Sequence, residues 1–255
     1  MKDAQARNLA QFDQVFGDPS VASGLRKLAP SSLAAASNFW QTMLGAPQLS
    51  PRIKELILVA LHASVSAIDS EAIRRHIERA LTAGASKEEV LDVLLSIVGA
   101  ANHALYFAVP ILLEELKASG RGDAQVPEAS PEAEAAKSDY IQTRGFWNER
   151  QDTLMRLVPT YFKALCALSV EPWKNGALSP KERELIYIAI DCSPTHMFGP
   201  GLAMHIRHAL QRGATREEIL EVFQLAALTG LEGYILGAEA LFGAPPTDGS
   251  AAPRV

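Results

Sequence analysis

The sequence predicts an all-α protein made of two tandem helical units packed as a pseudo-dimer. Three observations carry this: the chain repeats itself, helix start and stop signals recur at matching places, and no alternating strand pattern of useful length occurs. Moving residues 49–113 along by 129 positions, without a gap, puts about 19 of 65 on an identical partner. Leu49-Ser50-Pro51 falls on Leu178-Ser179-Pro180, Glu55-Leu56-Ile57 on Glu184-Leu185-Ile186, His76-Ile77 on His205-Ile206, and Gly84-Ala85 on Gly213-Ala214. Leu28-Ala29-Pro30 also matches Leu157-Val158-Pro159, so each unit is roughly 130 residues, the length of a domain. That is too long for a solenoid repeat and suits two fused subunits packed face to face.

The elements follow in order. In unit one a helix is expected near 30–44, and Ser50-Pro51 opens the next with an N-cap and a first-turn proline. A helix carrying His76 ends at Gly84, a residue suited to a left-handed cap, and Ser86 to Glu89 forms a capping box for its successor. A last helix is expected near 102–118. Ser119-Gly120-Arg121-Gly122-Asp123 and the Pro/Glu/Ala stretch behind it have linker chemistry, so 119–135 is read as a mobile linker. Unit two repeats the scheme. A helix near 159–170 precedes Ser179-Pro180 with Glu182, a capping box ahead of the nearly all-apolar run Glu184 to Ile190. Gly213, the box Thr215 to Glu218 and a helix near 231–242 complete it. The divisions are thus 1–118, first unit; 119–135, linker; 136–243, second unit; and 244–255, a disordered tail.

Composition narrows the function. With 48% hydrophobic and 21% charged residues the chain has enough apolar side chains for two substantial cores. A net charge of −5 leaves no strongly basic surface, which argues against a nucleic-acid partner. No uninterrupted apolar run approaches the roughly 18–20 residues of a membrane span, and Met1-Lys2-Asp3-Ala4-Gln5 lacks the start of a signal peptide. A soluble cytoplasmic protein is expected. Cys166 and Cys192 belong to no CxxC or zinc spacing and are read as reduced thiols.

Candidate chemistry gathers on two helices of each unit. Glu184, Asp191 and Thr195 form a polar stripe on an otherwise apolar helix; Glu55, His62 and Ser66 repeat it. Such a stripe faces water or lines a cavity. On the next helix His205 shares the inward face with Leu202 and Ala209, and His76 has the same setting. The repeated pairing of an inward histidine with an acid favours a shared role over two satisfied core residues. Cys192 is a packing thiol or a nucleophile. His196, in the following loop, reaches the same cavity or is a plain loop residue. His208 falls where Arg79 stands, which predicts exposure, while His103 and Glu232 are equivalent and either close the cavity or face solvent. HExxH, Gly-rich phosphate loops and dinucleotide fingerprints are absent, and no metal or cofactor is expected.

The string His205-Ile-Arg-His-Ala-Leu-Gln-Arg-Gly-Ala-Thr-Arg-Glu-Glu-Ile219, behind Leu178-Ser-Pro-Lys-Glu-Arg-Glu184-Leu, resembles the carboxymuconolactone decarboxylase family, which includes the alkylhydroperoxidase D-like proteins. The resemblance covers about 65 residues in each unit and implies an all-helical homo-oligomer, with a trimer favoured. The peroxidase branch carries a CxxCxxxH motif. Its cysteine positions are held here by Phe198 and Gly201, and by Asp69 and Ala72 in unit one, which disfavours thiol-dependent peroxide reduction. What remains is Glu184 with His205 and Glu55 with His76, acid–base residues that suit the decarboxylase branch. The resemblance therefore implies a cofactor-independent decarboxylase acting on a small unsaturated carboxylate, with His205 as acid–base group oriented by Glu184. Isomerisation of a similar substrate, or a non-catalytic scaffold subunit, stays open. Unit two, which adds Asp191, Cys192 and His196 along one wall, is expected to hold the working site.

Overall fold

The computed structural model describes residues 12–122 and 125–243, and among these every regular element is helical. Unit one runs through α1 (Pro19–Leu28), α2 (Pro30–Leu44), α3 (Pro51–Ala63), α4 (Ser70–Thr82) and α5 (Lys87–Ser96), then a 3₁₀ stretch, Ile97–Asn102, and α6 (His103–Ala118). Unit two continues with α7 (Pro131–Arg144), α8 (Arg150–Leu157), α9 (Pro159–Asn175), α10 (Pro180–Cys192), α11 (Gly199–Gln211) and α12 (Arg216–Leu228), and ends with the 3₁₀ turn Thr229–Leu231 and α13 (Glu232–Phe242). The tail 244–255 lies outside the described residues.

The punctuation works as the sequence implies. Ser50 and Ser179 cap α3 and α10 through their side chains, each with proline in the first turn. Capping boxes form at Ser86, Ser179 and Thr215, and Gly84 and Gly213 take left-handed conformations at φ +94° and +81°. Ile68 and Met197, 129 positions apart, share an unusual positive φ of 42° and 44° in the turn before α4 and α11. A β-branched residue is strained there, so the same tight entry to the histidine helix is held in both units.

Helices α3 and α10 are buried almost throughout and pack against each other at the centre of one core that spans both units. The cross-unit contacts are reciprocal. Asp92 of α5 bonds the guanidinium of Arg183 on α10, and at the twin positions Glu221 of α12 pairs with Lys54 of α3 at 2.7 Å. Asp92 also accepts from the Leu178 amide, as Glu221 accepts from that of Leu49. Thr195 and Ser66, equivalent residues, hydrogen-bond to each other at 2.8 Å. Each contact paired with its mirror, and one residue meeting its own twin, is the signature of an isologous two-fold interface.

Two expectations are corrected. Of the stretch read as a linker, residues 131–135 are helical; Ser130 caps α7, whose first turn holds Pro131, Glu132 and Glu134. Alanine and glutamate are strong helix formers, and Ser-Pro-Glu is the start signal used elsewhere in the chain. The membrane argument from uninterrupted apolar runs also changes. Lys87–Ala118 and Arg216–Phe242, each a near-continuous helical run, are long and apolar enough to span a bilayer on length and composition. Their interior acids, Asp92 and Glu221, break the runs in sequence, yet in the fold they sit in the buried cross-unit ion pairs.

Candidate active site

In unit two the histidine of α11 meets the acid of α10. His205 Nδ1–H donates to Glu184 Oε2 at 2.6 Å, with Glu184 wholly buried. A carboxylate only accepts, so neutral His205 carries its proton on Nδ1 and turns a basic Nε2 toward the cavity. Burial lowers the His205 pKa against the raising influence of Glu184, and the charges of Arg144 and Arg212 lower it further. Glu184 Oε1 lies 3.6 Å from both His208 and Arg212. His208 is therefore half-buried, with its ring 4.9 Å from that of Phe146, and not exposed as the Arg79 equivalence suggested. Helix α7 supplies the cover that unit one arranges differently.

Opposite His205 stands Asp191, two turns along the same face of α10 from Glu184. Its Oδ2 is buried with no hydrogen-bond partner and lies 4.0 Å from His205 Nε2. Burial pushes its carboxyl up to about 8, so it is largely protonated at neutral pH. A Cβ on residue 201 would collide with that same oxygen, which makes glycine the side chain that fits beside Asp191. Phe198 stacks on His103 with ring centroids 3.7 Å apart. The two positions that hold cysteines in the peroxidase branch thus shape the acid and its wall.

The end of unit one closes this cavity. His103, the first residue of α6, bonds His196 at 2.6 Å, and both rings lie within 4.0 Å of Asp191 Oδ1. Burial lowers both imidazoles, His103 to about 4 with His196 and His205 adding to the effect. The cavity, of about 110 Å³, is lined by His205, Asp191 and His103 together with Tyr106, Arg144, Ser169 and Tyr187. Cys192 is not among the residues lining it. Its Sγ donates to the Ala189 carbonyl at 3.5 Å, and burial pushes the thiol up to about 11.

Unit one has the same frame without the space. His76 Nδ1–H donates to Glu55 at 2.7 Å, and Arg79 bonds the other oxygen at 2.8 Å. Burial alone would raise the Glu55 carboxyl, but His76 and Arg79 together hold it below the usual range. His76 is 0% exposed against 8% for His205, and its Nε2 is buried without a partner. The indole of Trp40 stacks on it at 6.0 Å from one side and His62 at 5.1 Å from the other. His62 replaces Asp191 and is pushed down to about 3, by burial first and then by His76 and Arg75. Glu232, the twin of His103, accepts two 2.6 Å bonds from Arg75.

Three clusters bring metal-type donors together: Glu184/His205/His208, His103/Asp191/His196 and His62/His76/Glu232. The closest donor pairs, His103 with His196 and Glu184 with His205, are each 2.6 Å apart. Two ligands on one tetrahedral ion with bonds near 2.1 Å sit about 3.4 Å apart. Those two pairs are spaced as hydrogen bonds, whereas His62 Nε2 and Glu232 Oε1 of the third cluster lie 3.6 Å apart. Of the residues the sequence singles out, Glu184 meets His205 and Glu55 meets His76 in the two repeated pairs, His196 joins His103 beside Asp191, and Asp191 is placed on the wall without a role. Sequence reasoning missed Arg144, Tyr187 and Ser169: Arg144 ends α7, which lies outside the repeated segments, and Tyr187 and Ser169 stand where unit one has Leu58 and Trp40, so the repeat does not single them out.

The model of the carboxymuconolactone decarboxylase family matches residues 30–110 and 159–240, one match in each unit. No curated protein is significantly similar. A crystal structure described as a gamma-carboxymuconolactone decarboxylase subunit of Burkholderia xenovorans LB400 superposes with a TM-score of 0.83 at 33% identity, covering 93% of this chain and 95% of that one.

Proposed function

The chain belongs to the carboxymuconolactone decarboxylase family, and from that premise we propose that unit two is the centre of a cofactor-independent decarboxylase. Its substrate is a small unsaturated carboxylated lactone or ring-cleavage acid from aromatic breakdown. One observation carries this reading: His205, hydrogen-bonded through Nδ1 to buried Glu184, turns its Nε2 to within 4.0 Å of the buried Asp191 carboxyl at the wall of an aromatic-lined cavity.

Loss of CO₂ breaks a C–C bond and leaves an electron pair, which a conjugated carbonyl in the substrate absorbs. That pair must then gain a proton at carbon. Asp191 holds the proton at rest, His205 Nε2 takes it and delivers it to the carbon that has lost CO₂, and solvent restores the proton to Asp191, while Glu184 fixes the ring and favours the transient imidazolium. The buried setting desolvates the departing carboxylate.

The same acid–base couple also suits a proton shift between two carbons, which favours an isomerase as the second reading. Purified protein is mixed with gamma-carboxymuconolactone and related lactone acids, following ultraviolet absorbance and released CO₂ together. Stoichiometric CO₂ supports the decarboxylase. A spectral change without CO₂ supports the isomerase, and silence in both, with the cavity still binding acids, supports a scaffold subunit.

The assembly reading is a homo-oligomer, with a trimer favoured. Its support is α6, none of whose residues is buried and which exposes Phe107, Ile111 and Leu112. A 27.5 kDa monomer in light scattering at micromolar concentration would remove it.

A further inference from the structure

Arg144 ends α7, a helix that lies in neither family-matched segment, and its side chain lines the cavity beside His205. It is buried, yet among the described residues no carboxylate lies within ion-pair distance of it. Glu184, the nearby acid, is engaged by His205 at 2.6 Å and approached by His208 and Arg212. One guanidinium nitrogen of Arg144 reaches the Ser169 carbonyl at a long 3.4 Å, and its Nε is buried without a partner.

Aromatic faces surround the ion. The guanidinium lies over Tyr140, Phe146, Trp173 and Tyr187 at 4.8–5.5 Å from the ring centres. These contacts compensate part of the cost of burying a cation and fix its plane. They accept none of its in-plane N–H bonds, because a ring face lies above the guanidinium and the donors point outward in the plane. An arginine stays ionised, so the missing counter-ion has to come from elsewhere. Residue 15, 129 positions earlier, is a buried valine, and in unit one the corresponding space is filled by Trp40. The free cation and the free space occur together, in unit two.

We propose that Arg144 is the anchor for a substrate carboxylate that is retained through the reaction, held by a bidentate pair while the flat conjugated body lies among Tyr140, Phe146 and Tyr187. This deepens the decarboxylase reading and rests on it for the second acid group. An arginine paired with the departing carboxylate would stabilise the ground state and oppose CO₂ loss. The group on Arg144 is therefore the one that stays, and the group that leaves faces Asp191 and His205. The ligand class is a small dicarboxylate whose retained carboxylate belongs to its conjugated part and whose departing carboxylate stands out of that plane.

The test uses the full chain, titration calorimetry, and trans,trans-muconate with its dimethyl ester as probes. The diacid binds wild type in a saturable manner, and the ester at least about 30-fold more weakly, the scale expected when a buried charge loses its partner. Arg144→Gln loses about 30-fold or more for the diacid and little for the ester, whereas Cys192→Ser, outside the cavity lining, binds the diacid within about threefold of wild type. Failure of the diacid to saturate, equal affinity for ester and diacid, or an unchanged Arg144→Gln each overturns the proposal. The ester comparison needs no variant, so it decides the matter even if Arg144→Gln does not fold. Arg144-dependent binding in a protein that releases no CO₂ keeps this anchor and sinks the decarboxylase. CO₂ release with KM unchanged in Arg144→Gln does the reverse.

Discussion

Units one and two hold the same Glu–His pair in the same geometry, at 2.7 and 2.6 Å, and differ in what surrounds it. Around His76 stand Trp40, His62 and Arg79; around His205 stand Ser169, Asp191 and His208. The first set fills and neutralises: an indole takes the space and an arginine satisfies the glutamate. The second set leaves a cavity with an acid facing a base. Closure is exchanged, since α6 of unit one caps the site of unit two through His103, and α13 of unit two brings Glu232 to Arg75 and His62. A tandem chain with that exchange cannot discard either copy. Unit one remains necessary in this arrangement because its His103 completes the wall of the unit-two cavity.

The largest effect should come from breaking the difference at its acid. Asp191→Asn and His205→Ala should each lower turnover by about 10²- to 10⁴-fold, the usual contribution of an acid–base group, while His76→Ala stays within about twofold. Steady-state rates on folded protein check this, and equal damage from His76→Ala would mean that both clusters work. Asp191 acts as a proton donor only while protonated, so wild-type turnover should fall as pH rises through about 8. Asp191→Asn should lose that limb. Stability should move the other way. A carboxyl raised from 3.8 in the unfolded chain to about 8 in the fold penalises folding progressively as pH climbs between those values. At pH 7 the asparagine variant should accordingly be more stable by ~2–4 kcal/mol, a gain that vanishes below about pH 4.

Next comes an attempt to convert one unit into the other. Ser169→Trp places in unit two the residue that plugs unit one, and should cost at least about tenfold in kcat/KM through lost cavity volume, leaving the Glu184–His205 pair intact. The reciprocal Trp40→Ser should leave turnover nearly unchanged and lower stability by ~3–5 kcal/mol, because it empties a fully buried site. Turnover that survives Ser169→Trp undiminished would place the chemistry outside this cavity.

The sequence carries most of this comparison because the repeat is its own alignment. Capping boxes, prolines and glycines mark helix ends by local chemistry, so α3 to α5 and α10 to α12 were legible without a fold. Glu184 and His205 were legible because a polar stripe and an inward histidine recur at equal offsets. The other half of the site was not. Arg144 and Tyr187 acquire meaning only once α7 lies over the cavity, and the first five residues of α7, 131–135, read compositionally as linker. Ser169 says nothing until Trp40 is seen filling its counterpart. The charge state of Asp191 depends on burial and on the absence of a cation beside it, which spacing along a helix does not encode.

Cys192 gives the smallest expected effect and the sharpest check on redox chemistry. It replaces Ala63 at the end of α10, so it is another point where the units differ, and a thiol near a histidine invites a nucleophile's role. Its surroundings oppose that role. The sulfur packs half-buried against the core, bonds a carbonyl three residues back, and with its pKa pushed up to about 11 forms almost no thiolate at neutral pH. The second thiol, Cys166, is buried in the separate cluster around Met155 and Phe162 and is pushed up to about 12. With Phe198 and Gly201 in the places of the peroxidase cysteines, no resolving partner stands beside His205. Cys192→Ser keeps the size and lets the hydroxyl donate to the Ala189 carbonyl, so turnover should change by less than about twofold and stability by no more than ~1 kcal/mol. A loss of a hundredfold or more in folded protein would put the thiol into the mechanism, and the distinction between the two units would then rest on sulfur chemistry in place of the Asp191–His205 couple.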